Sequence, residues 1–147
     1  SQLKIAINFD LPVILHTRNA IDLVLKYLRR YRVKGGIAHA FNGSNQQAHQ
    51  FIDLGFKLGF GGAMTYPRAK HIQRLAKELP IESIVLETDA PDMPPFWLEK
   101  TQQNQPKELE KIGTFLAQIR GLDPHKMAKI ISKNTSQALP MLGKLCT

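Results

Sequence analysis

Short apolar runs alternate with amphipathic segments along most of the chain. The runs at residues 12–16 (PVILH), 35–41 (GGIAHAF), 56–62 (FKLGFGG) and from Ile84 onward (IVLETDAP) are almost continuously apolar and of strand length. That pattern predicts parallel strands covered on both faces. Between the runs, Ile21, Val24, Leu25 and Leu28 share one helical face, as do Ala48, Phe51, Ile52 and Leu54, and then Ala69, Ile72, Leu75 and Ala76. The alternation is that of strands joined by right-handed helical crossovers. Pro91, Pro94 and Pro95 then break regular structure and predict a long functional loop over residues 91–105. Leu109, Ile112, Phe115, Leu116 and Ile119 mark a helix that stops near Gly121. Asp123 is placed to cap another, with Pro124 at its first position and Met127, Ile130 and Ile131 on its apolar face. At the opposite end, Leu3, Ala6 and Ile7 read as the end of an amphipathic helix with Ser1 as a candidate cap. The expectation is that further polypeptide precedes it.

Composition narrows this picture. The chain has 147 residues, whereas a closed eight-stranded α/β barrel uses about 250, so a barrel reading must account for a missing portion. With 43% hydrophobic residues the chain supports one packed domain and is not a disordered tract. Cys146 is the sole cysteine, which excludes an intramolecular disulfide framework and a cysteine-rich metal module. No apolar run approaches membrane-spanning length and the opening residues do not form a signal peptide, so a cytoplasmic protein with no membrane segment is expected.

The formal charge is +8, compatible with a polyanionic partner. It is unevenly spread: residues 81–110 carry seven acidic and two basic side chains, while Lys26, Arg29, Arg30, Arg32 and Lys34 crowd together before the second strand. That basic run has the composition to steer a DNA backbone, but a solvated outer helix face accounts for it more simply.

Candidate chemistry gathers where the predicted strands end. His16 closes the first run, His39 the second and Asp89 the fourth. Parallel strands bring such ends to one face, the face where α/β and barrel sites are assembled. Imidazole nitrogen and carboxylate oxygen suit a divalent ion. Each residue also has an ordinary reading, as a hydrogen-bonded strand terminus or a turn cap. Gly59, Gly61 and Gly62 permit close backbone approach, but GFGG is neither a dinucleotide fingerprint nor a phosphate-binding loop.

PVILHTR, IAHAFNG, GFKLGFGGAMTY and IVLETDAP, followed by NQP at residues 104–106 and a helical tail, resemble the second half of a TatD-family metal-dependent hydrolase or deoxyribonuclease. The resemblance spans residues 1–147 and implies an α/β fold: strands five to eight of a metal-centred TIM-like (β/α)₈ barrel, four parallel strands followed by C-terminal helices. It implies that His16, His39 and Asp89 are metal ligands, that Asp89 also orients or deprotonates the attacking water, and that DNA phosphodiester bonds at exposed strand ends are hydrolysed. One or two divalent ions are implied; Mg²⁺ is favoured for phosphodiester chemistry, and two imidazoles also accommodate Zn²⁺ or Mn²⁺. The HxH motif of the family's first strand and the bridging glutamate of its fourth do not occur in this chain. The absent N-terminal half, or self-association, is therefore expected to complete the barrel.

Around this set, Glu87 shares a side with Asp89 if strand alternation continues, and is a candidate acceptor behind a ligand histidine. Arg18 and Asn42 are candidate substrate contacts. Phe41 and Tyr66 fit core or loop-capping roles better than base recognition. Two other readings stay open: a related hydrolase of small esters or amides, and an inactive fragment serving as a binding or assembly module.

Overall fold

The computed structural model describes residues 2–99 and 101–141. Ser1 and Cys146, to which the sequence assigned a cap and a redox argument, lie outside the described residues. The elements run α1 (Gln2–Asn8), β1 (Val13–His16), α2 (Ile21–Arg30), β2 (Gly36–His39), α3 (Asn45–Asp53), β3 (Phe56–Phe60), α4 (Lys70–Glu78), β4 (Ile84–Leu86), α5 (Leu109–Arg120) and α6 (Pro124–Ala138). Short 3₁₀ turns at Gly62–Thr65, Ile81–Ser83 and Pro106–Glu108 join some of them. The four strands form one parallel sheet in the order β1-β2-β3-β4. This is the predicted α/β succession, with two helices closing the chain.

Local chemistry sets the boundaries. Ser44 and Gln47 form a reciprocal capping box that starts α3. The Asp123 carboxylate accepts from the Lys126 N–H, with Pro124 next to it, as expected for the start of α6. Gly121 ends α5 in a left-handed conformation, φ 65°. At the entry to β2, Gly36 has φ 146° and a side chain there would overlap the Val13 backbone, so only glycine lets β1 and β2 close up at this point.

The two faces of the sheet differ. Ala38, Leu58 and Ile84 are in register across one face and fully buried, packed with Leu25, Leu28, Phe51, Leu75, Ile112 and Leu116 from the helices. Arg120 ties α5 to the end of α4 by donating to the carbonyls of Ala76 and Leu79, both at 2.6 Å. On the other face stand Ile14, Ile37, Lys57 and Val85. Ala138 and Leu139, at the end of α6, pack against Ile37 and Val85, while Ile14 is 63% exposed. The expectation of strands covered on both sides therefore fails at β1, where no described element lies over the inner face. In α1, Ala6 is buried and Leu3 packs on the core, but Ile7 points outward, exposed with its neighbours Ile5 and Phe9.

Candidate active site

β1 and β2 end together. His16 and His39 are register partners at the last position of each strand, and their rings stand side by side with centroids 5.5 Å apart and planes tilted by 35°. The fourth strand stops earlier than its apolar run and the ETD continuation predict: β4 ends at Leu86, whose partner Phe60 is the last residue of β3. One further hydrogen bond, from Glu87 N–H to the Phe60 carbonyl at 3.1 Å, carries the chain past the sheet. Asp89 therefore lies on the segment after the strand rather than at its end. Its carboxylate still reaches the same place, with Oδ1 3.5 Å from His39 Nε2.

Glu87 stands behind His39. Its Oε2 is 2.9 Å from His39 Nδ1, and its Oε1 accepts the Ala40 N–H at 2.5 Å. Both His39 and Glu87 side chains are only 16% exposed, against 43% for Asp89. Gly59 makes this possible, because a Cβ there would overlap the Glu87 carboxylate. Burial works against the charged form of His39, but the Glu87 hydrogen bond and charge, helped by Asp89, outweigh it and raise the imidazole pKa above its ordinary value. Burial, which lowers an imidazole pKa, raises that of the Glu87 carboxyl, opposed by the hydrogen bonds from His39 and Ala40.

With Nδ1 turned to the carboxylate, His39 presents Nε2 toward Asp89. Two ligands bound about 2.1 Å from one ion at a tetrahedral angle lie about 3.4 Å apart, and two imidazoles on one ion have centroids about 5 Å apart. The Nε2–Oδ1 and ring separations of this site are of that size. His16, His39 and Asp89 are donors of the types a divalent ion takes. Among the described residues no group of three or more His, Cys, Asp or Glu side chains is arranged so that it could hold a metal ion by itself, so these donors make at most part of a metal site. The Glu87 contact to Nδ1 is the arrangement that orients a ligand histidine.

These groups line a cavity of about 610 Å³ at the C-terminal ends of the strands. Arg18 and Asn42 both border it. Phe41 lines it too, but is buried and packs edge-on against Phe51. Tyr66 instead donates its hydroxyl to the Pro94 carbonyl at 3.1 Å, bracing the proline loop. Within the basic run, Arg29 donates to Gln50 and Lys34 pairs with Asp10. Sequence reasoning missed Asp92 and Met93, which form part of the cavity wall. Their position inside a proline-broken loop was the available signal; nothing in the residue types marks them.

A parallel α/β unit with polar groups converging at its strand ends places the molecule in the class of α/β folds that includes the TIM-like barrels. More specifically, residues 1–140 match the family model described as TatD related DNase, and the chain belongs to that family. It is 41% identical over 135 residues to YjjV of Escherichia coli K12, named an uncharacterized metal-dependent hydrolase, covering 91% of this chain and 52% of that protein. An uncharacterized metal-dependent hydrolase of Haemophilus influenzae is 38% identical over 138 residues, with 93% and 52% covered. The crystal structure of E. coli YjjV, a TatD homolog, superposes with a TM-score of 0.86 at 39% identity, over 95% of this chain and 54% of that one. A TatD family hydrolase from Entamoeba histolytica shares the fold at 18% identity, TM-score 0.74, over 88% of this chain and 50% of that one. The chain thus spans about half the length of the relatives it matches.

Proposed function

We propose that this chain forms strands five to eight of a (β/α)₈ barrel whose complete form is a metal-dependent hydrolase of DNA phosphodiester bonds, acting at exposed strand ends. The observation that carries the proposal is the convergence of His16, His39 and Asp89 over one cavity, with Glu87 fixing the His39 ring. The names of the matched family and relatives, a DNase and metal-dependent hydrolases, support the same reading. In it, the remaining strands pair with the free edge of β1 and cover Ile14, and they bring the ligands this chain lacks; self-association is the other route to a covered edge. The cytoplasm is its proposed compartment, and no helix among the described residues is long and apolar enough to cross a membrane.

His16, His39 and Asp89 would hold the ion, with Mg²⁺ favoured and Zn²⁺ or Mn²⁺ accommodated by the two imidazoles. When bound, a divalent ion supplies charge stabilisation at the phosphate and acidifies water. Glu87 keeps the proton of His39 on Nδ1, so that Nε2 offers a lone pair to the site. Asp89, more exposed than its neighbours, orients the attacking water and accepts its proton as the water oxygen bonds to phosphorus. The phosphorus–oxygen ester bond on the far side breaks, and the leaving oxygen is protonated by solvent. Arg18 and Asn42, at the cavity border, contact the phosphate and sugar.

The complete barrel protein, stripped of metal, is expected to leave an end-labelled single-stranded oligonucleotide intact and to shorten it when Mg²⁺ or Mn²⁺ is returned. Undiminished cleavage in the presence of chelator would refute the mechanism. Metal-dependent turnover confined to small esters or amides would move the reading to that class of substrate.

A further inference from the structure

The cavity is lined by apolar side chains as well as by the polar cluster. Ile21 at the start of α2, Ala63 and Met64 in the 3₁₀ turn, Ile72 on α4 and Met93 from the proline loop all border it. Met93 is the unusual member. Its side chain is 42% exposed and its backbone is left-handed, φ 48°, a conformation that costs a non-glycine residue about 1–2 kcal/mol. The loop is nevertheless fastened on every side. Asn104 Nδ2 donates to the Asp92 carbonyl at 2.6 Å, with the Met93 carbonyl at 3.4 Å. Phe96 N–H donates to Thr65 Oγ1 at 2.8 Å, and the Met93 carbonyl lies where a Cβ on Gly62 would come within 2.5 Å.

A second cost falls at the same place. Asn104 is almost fully buried, and its Oδ1 has no partner among the described residues, a penalty the fold accepts while the amide clamps residues 92 and 93. Two unfavourable features maintained to hold one apolar side chain open to solvent at a cavity wall point to a contact made with something else.

We propose that Met93, with Ala63 and Ile72 of the same cavity lining, forms a slot for the unpaired terminal base of the strand whose phosphodiester reaches His16, His39 and Asp89. This rests on the DNA-end reading above and names the part of the substrate that fills the rest of the site. A nucleobase has two apolar faces and a polar edge, and the cavity lining offers both kinds of partner, apolar Ile21, Ala63, Ile72 and Met93 and polar Arg18, Asn42 and Asp92. A flexible, polarisable thioether suits a π-face of any base, so the slot binds without reading sequence.

Two measurements test it. In the complete barrel protein with Mg²⁺, an oligonucleotide with an abasic terminal residue at each end is expected to show a KM about tenfold above that of the ordinary strand, with kcat little changed. Met93→Gly, which suits the left-handed backbone, should raise the KM of the ordinary strand toward the abasic value and leave the abasic one alone; Ala63→Leu, which fills the slot, should do the same. In parallel, the Met93 methyl resonance of methionine-labelled protein should shift with dAMP and not with deoxyribose 5-phosphate. Equal KM values for the two strands, or an unmoved Met93 signal, would overturn the slot. A Met93 response to dAMP in a protein that cleaves no DNA end would keep the slot and overturn the DNase reading; cleavage with an indifferent Met93 would do the reverse.

Discussion

The two faces of the sheet have the same alternating backbone and opposite fates. On the outer face Ala38, Leu58 and Ile84 are sealed in one cluster with side chains of α2 to α6, from Leu25 to Ile131. On the inner face the covered part is small: Ile37 and Val85 meet Ala138, Ile14 stands open, and the upper end is given to His16, His39 and Glu87. The outer face holds most of the buried core, and the inner face holds the polar cluster and the open apolar position at Ile14. An apolar inner face left open on one strand fits an element made to be covered rather than a surface made for water.

The largest expected effect breaks the outer face. Phe51 is fully buried, with edge-on contacts to Phe41 and Phe56. Phe51→Ala is expected to cost about 3–5 kcal/mol in denaturant unfolding, from lost burial and an unfilled cavity. A loss under 1 kcal/mol would mean that the helices do not seal that face.

The outer face was also the legible one. Leu25, Leu28, Ala48, Phe51, Leu75, Ala76, Ile112, Leu116 and Met127 are buried as their helical periodicity predicts, because a 3.6-residue repeat and a single covering layer leave one solution. Gly121, Asp123 and Pro124 mark their helix ends by the same local chemistry that predicted them. Less was legible where the outcome depends on contacts distant in sequence. β4 stops at Leu86, level with the last residue of β3, which a run of apolar residues does not announce. His16 and His39 were legible as strand-end residues, whereas the Gly59 gap that admits Glu87 is a relation between β3 and the segment after β4. The left-handed backbone of Met93 has no signature in a methionine, and exposure at Ile14 and Ile7 reflects neighbours, not sequence pattern.

Next in size is a change confined to the inner face. Glu87→Gln keeps an acceptor for the Ala40 N–H but removes the charge behind His39. Calorimetric titration with Mn²⁺ is expected to show affinity reduced by about 10–100-fold, with thermal stability of the metal-free protein changed far less than by Phe51→Ala. Equal losses in both would assign Glu87 to the core.

A smaller effect is expected from pH. The His39 pKa is raised above its ordinary 6.5 on folding, so its contribution to stability is fully present below 6.5 and is lost as pH rises through the raised value. Glu87, raised above 4.5 mainly by burial, acts in the same direction as it ionises. Metal-free protein should therefore unfold more easily as pH climbs through these values, and metal affinity should rise over the same span because the ion displaces the His39 proton. His39→Asn should flatten the upper part of the stability profile; an unchanged slope would remove His39 as its cause. The smallest effect is at the open strand: Ile14→Thr, at a position 63% exposed, should shift denaturant stability of this chain by no more than about 0.5 kcal/mol.

The claim that binds these observations is that the inner-face strand ends hold a metal ion. Anomalous diffraction from a crystal soaked in Mn²⁺ tests it most directly. The expected result is one peak within about 2.0–2.3 Å of a nitrogen of His16, a nitrogen of His39 and an oxygen of Asp89, with Glu87 still on His39 Nδ1. A saturated soak with no peak at these residues, or with a peak bound only by surface carboxylates elsewhere, would contradict the account.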